Sequence, residues 1–318
     1  MGGDGDRMVD SALIFPGQGA QVTGMGKDLY ENFAAARTVF DRANEILKVD
    51  IKKLCFEGPQ DQLSTTQNSQ PAILTASIAA LRAFEASPLW AGVTLKFSLG
   101  LSLGEYTALV AAGAISFEDA LVLVRKRGEL MEDASRKNPG KMACVIGMDV
   151  PAVESLCKGI GCEIANLNCP GQIVISGKTN NVELFASLAK EKGAKRVIML
   201  DVSGPFHSNL MTPARDKLKD YIEKVQIQEP KIFFISNVDA KIQMDPVKIK
   251  ENLISQVNSK TLWEESIRLV AASGVKTFYE IGPGQVLKGL LKKIDPKLEV
   301  KNIGCAADLS APALTGGI

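Results

Sequence analysis

Two features of the sequence could together perform nucleophilic catalysis: a serine in a glycine-flanked turn and a single histidine. The serine, Ser102, lies in Gly100-Leu101-Ser102-Leu103-Gly104, between an apolar segment and a helical pattern. Glycines at this spacing allow a sharp strand-to-helix turn that exposes the serine hydroxyl, as in a nucleophile elbow. We therefore interpret Ser102 as a candidate nucleophile, and an ordinary structural turn is the alternative.

A serine nucleophile requires a base, and His207 is the only histidine in the chain. Imidazole titrates near neutral pH, so it can accept the hydroxyl proton and later return one to a leaving group. A lone histidine is often incidental, so this assignment depends on the serine turn. No aspartate or glutamate stands out in the sequence as a third catalytic residue.

Arg127 is predicted to lie on the buried face of its helix. Apolar residues at 117, 120, 121, 124, 128 and 131 form one stripe, and position 127 falls within it. A buried guanidinium needs an anionic partner, because burying it unpaired is costly. Two interpretations stay open. One is an internal salt bridge, for example to Glu105 or Asp133, and the other is a fork that holds a substrate carboxylate by two parallel hydrogen bonds.

The glycine-rich segment PGQGAQ at 16–21 does not match a nucleotide loop. The dinucleotide pattern would need glycine where Val22 stands, and a P-loop would need a GK[ST] ending. We expect instead a tight loop at the end of a strand, where α/β sheets place their sites. There Gln18 would supply one half of an oxyanion hole and the main-chain amide of Leu103 the other half.

The composition excludes several classes of protein. The chain has 318 residues, 46% hydrophobic and 23% charged, which is enough for two domains or one large domain with an insertion. Lys and Arg number 37 against 36 Asp and Glu, so no nucleic-acid-binding surface is expected. The longest uncharged apolar stretch, 107–115, is far shorter than the ~20 residues of a membrane-spanning helix. Residues 1–8 contain no apolar signal region.

The six cysteines show no CxxC spacing, and one histidine is too few for the usual zinc patterns. We expect reduced, mostly buried thiols, no metal and no cofactor. The expected location is a reducing compartment in which the protein is soluble, either the cytoplasm or a plastid-type organelle stroma.

Short apolar segments alternate with longer helical patterns along the chain, which is typical of a parallel sheet covered on both faces. The predicted strands are 11–15, 93–99, 231–235 and 276–281. The predicted helices are 31–47, 72–86, 105–114 and 117–136. The fold class is therefore α/β with a mostly parallel sheet.

The segment 138–205 has a different order of elements. Its pattern is strand (142–148), helix (150–158), two strands around Pro170-Gly171, helix (181–192) and strand (196–202). This βαββαβ order is ferredoxin-like. We predict a small domain at 138–205 inserted into a large domain formed by 1–137 and 206–318.

Several motifs together resemble those of the malonyl-CoA:acyl-carrier-protein transacylases, and the resemblance covers nearly the whole chain. They are PGQGAQ at 16–21, SQPA at 69–72, GLSLGEYTAL at 100–109, Arg127-Gly128, NCPGQ at 168–172, PFHS at 205–208, SNVD at 236–239 and GPG at 282–284. The resemblance implies a large α/β-hydrolase-like domain with the ferredoxin-like insertion. It also implies transfer of malonyl from malonyl-CoA to the phosphopantetheine thiol of acyl carrier protein, by ping-pong through a malonyl-serine, in fatty acid biosynthesis.

The resemblance also assigns roles to residues. Ser102, His207, Gln18, Leu103 and Gln256 would be catalytic, and the main-chain carbonyl of Gln256 would orient the histidine in place of an acid. Arg127, Gln70, Phe206 and Asn168 would bind substrate. The bulk of Phe206 would crowd a methyl-branched extender.

One residue departs from the family pattern. Many members of the family have histidine at the position of Leu101. A leucine at this position is similar to plastid-type relatives. Because His207 would supply the base, we expect the chemistry to survive with the loss of one polar contact.

The partners implied are malonyl-CoA and acyl carrier protein, with the enzyme expected to be a monomer. Carrier proteins of this type are acidic, so two basic regions are candidate docking faces, with plain solvated surface as the alternative. They are 285–301 and the group Lys190, Lys192, Lys195 and Arg196. Two other functions stay open: a serine hydrolase such as a thioesterase, and a non-catalytic module that binds a carrier protein.

Overall fold

The computed structural model describes residues 10–310. Residues 1–9 and 311–318 fall outside that range. The segment 1–8 and both outer ends of the predicted large domain therefore lie outside the described residues.

The described residues form helices and strands in alternation along most of the chain. The α-helices are α1 Lys27–Asn32, α2 Ala34–Leu47, α3 Ile51–Glu57, α4 Gln60–Ser64, α5 Thr66–Glu85, α6 Gly104–Ala111, α7 Phe117–Lys137, α8 Val150–Ile160, α9 Thr179–Glu191, α10 Thr212–Lys224, α11 Pro246–Gln256, α12 Trp263–Ala272 and α13 Val286–Ile294. The strands are β1 Asp10–Phe15, β2 Thr94–Gly100, β3 Gly140–Ile146, β4 Cys162–Cys169, β5 Gln172–Lys178, β6 Arg196–Met199, β7 Phe233–Ile235, β8 Ile242–Gln243, β9 Thr277–Ile281 and β10 Glu299–Ile303. Short 3-10 helices span Pro88–Gly92, Asn209–Met211 and Ala306–Leu309.

The larger sheet has six strands in the order β10-β9-β1-β2-β7-β8. The first five run parallel to their neighbours, and β8 pairs antiparallel with β7. In the β1–β2 pair Phe15 lies opposite Gly100, so both strands end at the same level. This register places the loop after β1 beside the turn after β2. The prediction of an α/β fold with a mostly parallel sheet is confirmed.

Helices cover both faces of this sheet, and the apolar side chains of β1 pack against helices on both faces. Leu13 and Phe15 pack in one hydrophobic core with α2, α5, α6 and α7, whereas Ala12 and Ile14 pack in a second core with α12 and α13. Alternate residues of a strand point to opposite faces, so a strand that is apolar throughout serves two cores.

α5 begins at Thr66 rather than at the predicted Ala72 because Pro71 is accommodated inside the helix. Proline removes the donor that would normally pair with the main-chain carbonyl four residues earlier, here Gln67. Arg125 on α7 donates to this carbonyl from Nη1 at 3.0 Å. The acceptor is therefore satisfied, and the helix continues through the proline.

The smaller sheet is formed by β3 to β6 in the order β4-β5-β3-β6, and all of its pairs are antiparallel. Its strands and helices follow the predicted order of strand, helix, two strands, helix and strand, although β6 ends at Met199 rather than at 202. Ala143, Val145 and Ile175 pack against α8 and α9. Residues that alternate with these on β3 and β5 belong to the core of the larger unit.

Hydrogen bonds connect the smaller sheet to segments of the larger unit that lie outside its sheet. Leu167 N–H donates to Thr261 O at 2.9 Å, and Thr261 N–H donates to Ala165 O at 2.8 Å. Lys293 Nζ on α13 donates to Gln172 Oε1 at 3.0 Å. These contacts hold the β4–β5 end of the smaller sheet against the larger unit.

Several predicted boundaries were wrong. The helix predicted for 31–47 is two helices that meet at the extended Phe33, and the strand predicted for 231–235 is three residues long. The edge strand β10 was not predicted, because its charged and polar residues, Glu299, Lys301 and Asn302, make it look like a solvated segment.

Two further observations concern the class of protein. In the described part of the chain no helix is long and apolar enough to cross a membrane. All six cysteines are free thiols; five are buried and Cys305 is partly exposed.

The carboxylate of Glu280 on β9 provides a first test of the fold. It is fully buried and accepts hydrogen bonds from the N–H groups of Leu287 and Lys288 at the start of α13, and from Asn302 Nδ2. In Glu280→Gln the new amide NH₂ would face at least one of these donors, and that donor would lose its acceptor. We expect the free energy of unfolding to fall by about 1–3 kcal/mol. Urea unfolding measures this change, and a midpoint equal to that of the wild type would contradict the capping role of Glu280.

Candidate active site

Ser102 lies in the turn between β2 and α6, with a backbone φ of 52° in the left-handed region. Such a conformation costs a non-glycine residue about 1–3 kcal/mol, so neighbouring contacts must hold it. Close approach explains the flanking glycines. A Cβ on Gly100 would lie 2.0 Å from the main-chain carbon of Gly104, and one on Gly104 would lie 2.2 Å from Phe15 O. The geometry is that of the predicted nucleophile elbow.

His207 lies next to Ser102, with Nε2 at 2.8 Å from Ser102 Oγ. Its Nδ1 lies 2.9 Å from the main-chain oxygen of Gln256 and 3.1 Å from that of Ser259. Carbonyl oxygens only accept hydrogen bonds, so Nδ1 carries the proton and Nε2 offers its lone pair to the serine hydroxyl. This tautomer is the one that a general base requires.

The imidazole of His207 is a neutral base over a wide pH range. Burial and, to a smaller extent, the charge of Arg127 lower its pKa, the hydrogen bonds to Gln256 and Ser259 raise it, and the net result is a pKa of about 4. The desolvation of the charged form outweighs the two carbonyl contacts. His207 is therefore unprotonated at neutral pH.

Arg127 is 1% exposed and points into the same site. Its Nη1 donates to Gln70 Oε1 at 2.8 Å, and its Nη2 donates to Gln256 Oε1 at 2.8 Å and to Ser102 Oγ at 3.1 Å. Its Nε is buried without a hydrogen-bond partner among the described residues. One edge of the guanidinium, formed by Nε and Nη2, therefore has an unused donor beside the serine.

The salt-bridge interpretation of Arg127 was wrong for both suggested partners. Asp133 pairs instead with Arg136. The carboxylate of Glu105 accepts hydrogen bonds from Asn237 N–H and Gln256 Nε2. Within residues 10–310, no carboxylate forms an ion pair with Arg127.

Gln18 lies in the loop after β1 and lines a cavity with Ser102, and Leu103 directly follows the serine and precedes α6. Neither main-chain N–H makes a hydrogen bond among the described residues. The side chain of Gln18 donates to Thr66 Oγ1 at 3.3 Å. Two free main-chain donors beside a nucleophile could hold a developing oxyanion.

The site contains a cavity of about 240 Å³, which is lined in part by Ser102, His207, Arg127 and Gln18. The face of the smaller sheet that is turned away from α8 and α9 supplies an apolar wall. The members of this wall are Met142, Cys144 and Val174.

The other predicted substrate-binding residues divide into two groups. Phe206 and Asn168 line the cavity, and Asn168 Oδ1 is buried with no hydrogen-bond partner in the described chain. Gln70 is fully buried and contacts Arg127 rather than the cavity. Its position indicates a contact with the guanidinium and not with a substrate.

Two residues that the sequence analysis did not select also belong to the site. Asn237 accepts the Ser102 N–H at 2.7 Å through Oδ1 and donates to Gly100 O at 2.7 Å through Nδ2. Glu105, 0% exposed, accepts the N–H of Asn237 at 3.0 Å. Both residues lie in motifs, GLSLGEYTAL and SNVD, so their presence in those motifs was the available signal.

Comparisons with known proteins agree with this site. The acyl transferase domain family matches residues 12–307. A malonyl CoA-acyl carrier protein transacylase of Bacillus subtilis (strain 168) is 51% identical over 293 residues, which are 91% of this chain and 91% of the relative. An acyl-carrier-protein-S-malonyltransferase from Bartonella henselae has a TM-score of 0.90 at 41% identity, covering 94% of this chain and 97% of that one.

A second solved structure is a malonyl-transacylase in complex with a type II PKS acyl-carrier protein. It has a TM-score of 0.90 at 37% identity, and the match covers 94% of this chain and 97% of that one. The domain match and the shared two-sheet fold define an acyltransferase-domain protein. With a relative 51% identical over nearly its whole length, the chain belongs to the family of malonyl CoA-acyl carrier protein transacylases.

The low pKa of His207 gives a second prediction. Because His207 is the only histidine in the sequence, one imidazole NMR signal of the untagged protein reports its titration. We expect this signal to keep its neutral position down to about pH 4, while the urea-unfolded chain titrates near 6.5. An imidazole that becomes charged above pH 6 in the folded protein would contradict this assignment.

The same shift in pKa has a consequence for stability. Between about pH 4 and 6.5 the unfolded chain binds a proton at this imidazole and the folded chain does not. The contribution of His207 to stability is therefore fully present above 6.5 and falls as the pH drops through this window.

Proposed function

We propose that this protein moves the malonyl group of malonyl-CoA to the phosphopantetheine thiol of an acyl carrier protein, through a malonyl ester of Ser102. The observation that carries the proposal is the 2.8 Å contact between Ser102 Oγ and His207 Nε2, in the cavity that Arg127 also lines. The names of the relatives support the choice of substrates, because the similarity covers nearly their whole length.

In the first half-reaction, Ser102 Oγ attacks the thioester carbonyl while His207 Nε2 takes the hydroxyl proton. A carbon–oxygen bond forms, and the carbonyl electron pair becomes a tetrahedral oxyanion held by the N–H groups of Gln18 and Leu103. When this intermediate collapses, the carbon–sulfur bond breaks and the imidazolium protonates the CoA thiolate. The malonyl group is then an ester of Ser102.

In the second half-reaction, His207 takes the proton of the carrier's thiol, and the thiolate attacks the malonyl ester. The same two N–H groups hold the second oxyanion. When the carbon–oxygen bond breaks, the imidazolium returns its proton to Ser102. The enzyme is regenerated, and the groups whose bonding changes are the malonyl carbonyl, the two thiols, the serine and the imidazole.

Arg127 would hold the malonyl carboxylate through its Nε and Nη2. The unpartnered Nε supports this role, and so does the position of Nη2 at 3.1 Å from Ser102 Oγ. The bound carboxylate would also offset the charge that lowers the pKa of His207, and so make the imidazole a stronger base. A carboxylated acyl group would therefore gain in both binding and rate over an acetyl group.

The remaining site residues would act around this pair. The main-chain oxygen of Gln256 would orient His207, so no acidic third residue is needed. Gln70 would hold the guanidinium of Arg127 in place through its contact with Nη1. The bulk of Phe206 would select against methyl-branched extenders, and the unpartnered Oδ1 of Asn168 would accept an amide N–H of the pantetheine arm.

We also propose that the segment 138–205 is a ferredoxin-like domain inserted into an α/β-hydrolase-like domain formed by 1–137 and 206–318. The order β4-β5-β3-β6 and the two helices on one face of this sheet support the first part. The parallel sheet with the serine turn after β2 supports the second part. The named relatives are bacterial, which favours the cytoplasm over a plastid, and the proposed enzyme is a monomer.

The carrier protein would dock near α13. Val286 at the start of this helix lines the cavity and is 52% exposed, and Lys288, Lys292 and Lys293 follow it on the same helix. This arrangement places part of the basic region 285–301 beside the cavity. It supports that region as the carrier's docking face.

The nucleophile can be tested by intact-mass measurement after mixing with malonyl-CoA. We expect a stable malonyl adduct on the wild type and on Ser273→Ala, whose serine is exposed on α12's C-terminal side, and none on Ser102→Ala. An adduct that persists in Ser102→Ala would contradict the proposal. Rapid release of free malonate without an acceptor would show a hydrolase.

The carboxylate fork can be tested by comparing malonyl with acetyl transfer. In Arg127→Ala we expect malonyl kcat/KM to fall about 10- to 100-fold, the loss of a charge-assisted pair, while acetyl transfer falls less. Arg127→Lys keeps the charge but not the fork and should restore part of the malonyl activity. An equal fall for both acyl groups would contradict the role of Arg127 as a clamp.

A further inference from the structure

Glu105 is a buried carboxylate that the reaction steps do not use. It is 0% exposed and lies in the first turn of α6, three residues after the nucleophile. Its Oε1 accepts the main-chain N–H of Asn237 at 3.0 Å, and its Oε2 accepts Gln256 Nε2 at 2.5 Å. A carboxylate with this burial and these partners fixes the positions of both residues.

Asn237 and Gln256, the two residues bound to Glu105, make hydrogen bonds to the main-chain N–H and the main-chain oxygen of Ser102. Asn237 accepts the Ser102 N–H, and Gln256 Nε2 donates to Ser102 O at 2.8 Å. Asn237 also donates to Gly100 O. The left-handed conformation of the nucleophile is thus held on both sides by amides that are bound to one carboxylate.

Gln256 extends the same connection to the base and to the guanidinium. Its Oε1 accepts Arg127 Nη2 at 2.8 Å, and its main-chain oxygen accepts His207 Nδ1 at 2.9 Å. Both hydrogens of its NH₂ are used, one on Ser102 O and one on Glu105. The carboxylate of Glu105 therefore determines which way the amide of Gln256 faces.

We propose that Glu105 is a positioning residue for the transfer reaction, holding Ser102, His207 and Arg127 in their reactive arrangement through Asn237 and Gln256. The inference rests on the proposed function, since it concerns the rate of that reaction. Glu105 also balances the charge of Arg127 without a direct ion pair, because Gln256 lies between them.

The ionisation of Glu105 supports the proposal. Burial raises its pKa, the hydrogen bonds from Asn237 and Gln256 and the charge of Arg127 lower it, and the net result is a pKa of about 7. The charged or titratable groups that face it are Arg127 on α7 and Tyr106 on α6. The segment after β7 and the end of α11 contribute only neutral polar groups.

The variant that tests the proposal is Glu105→Gln, which keeps the shape and removes the charge. Its amide NH₂ would face either Asn237 N–H or Gln256 NH₂, so one of these donors loses its acceptor. We expect kcat to fall about 10- to 100-fold for both malonyl and acetyl transfer. KM for malonyl-CoA should stay the same or fall, because the site gains net positive charge.

Glu280→Gln is the matched control. Glu280 is equally buried and accepts equivalent hydrogen bonds, but it contacts none of Ser102, His207, Arg127, Asn237 and Gln256. We expect its kcat and its KM for malonyl-CoA to equal those of the wild type even though its stability falls. A general loosening of the fold would instead affect both variants in the same way.

The pH profile provides a readout that a purely structural role would not change. In the wild type we expect kcat/KM, which reports the free enzyme, to step down near pH 7 to a lower plateau, as Glu105 becomes protonated, and to vanish near pH 4 with His207. In Glu105→Gln the step near 7 should be absent and the loss near 4 should remain.

A Glu105→Gln protein with the kcat and pH profile of the wild type would overturn the inference and leave the proposed function intact. A wild type that transfers no malonyl would overturn both. If Glu105→Gln shows no cooperative unfolding, Glu105→Asp takes its place. The aspartate variant keeps the charge but shortens the reach, so we expect a lower kcat with the step near pH 7 retained, and a kcat equal to that of the wild type overturns the inference.

Discussion

The left-handed main chain at Ser102 is the constraint on which the rest of the structure depends. β2 and α6 meet in a turn so tight that Gly100 and Gly104 leave no room for a side chain. The hydroxyl therefore projects above the ends of the parallel strands, where the loop after β1 lies because Phe15 and Gly100 are in register. The candidate nucleophile and the candidate oxyanion donors are thus brought together by the strand pairing itself.

The site is built from neutral hydrogen-bonding partners around one buried positive charge. His207 is oriented by two carbonyl oxygens, and Arg127 by the amides of Gln70 and Gln256. An aspartate beside the imidazole would raise its pKa and would also pair with the guanidinium. Carbonyl partners keep the histidine neutral, and no carboxylate occupies the Nε of the guanidinium, which has no hydrogen-bond partner in the described chain.

Much of the site could be predicted from the sequence, because the chemistry of Ser102, His207 and Arg127 follows from local patterns. A glycine-flanked serine, a lone histidine and an arginine on an apolar helix face are each visible within a few residues. Gln256 came from the family resemblance. The second carbonyl, that of Ser259, was not predicted, because main-chain groups carry no sequence signal.

The residues that were missed or misplaced depend on non-local packing. Glu105 was considered only as a partner of Arg127, and its actual contacts come from the segment after β7 and from α11. Gln70 was expected in the cavity, but it lies on the first turns of α5, whose start was misjudged because Arg125 compensates for Pro71. β10 pairs with β9 through its main chain, and a pattern of side chains does not reveal that pairing.

The wall formed by Met142, Cys144 and Val174 belongs to a sheet whose opposite face has its own core with α8 and α9. Ser102, His207 and Arg127, the proposed reacting and binding groups, all belong to the other unit. Chemistry and pocket shape are therefore encoded in different stretches of the chain. Directed evolution of acyl-group preference can vary these three wall positions as a set, without changing the proposed reacting groups or the separate hydrophobic core on the opposite face of the sheet.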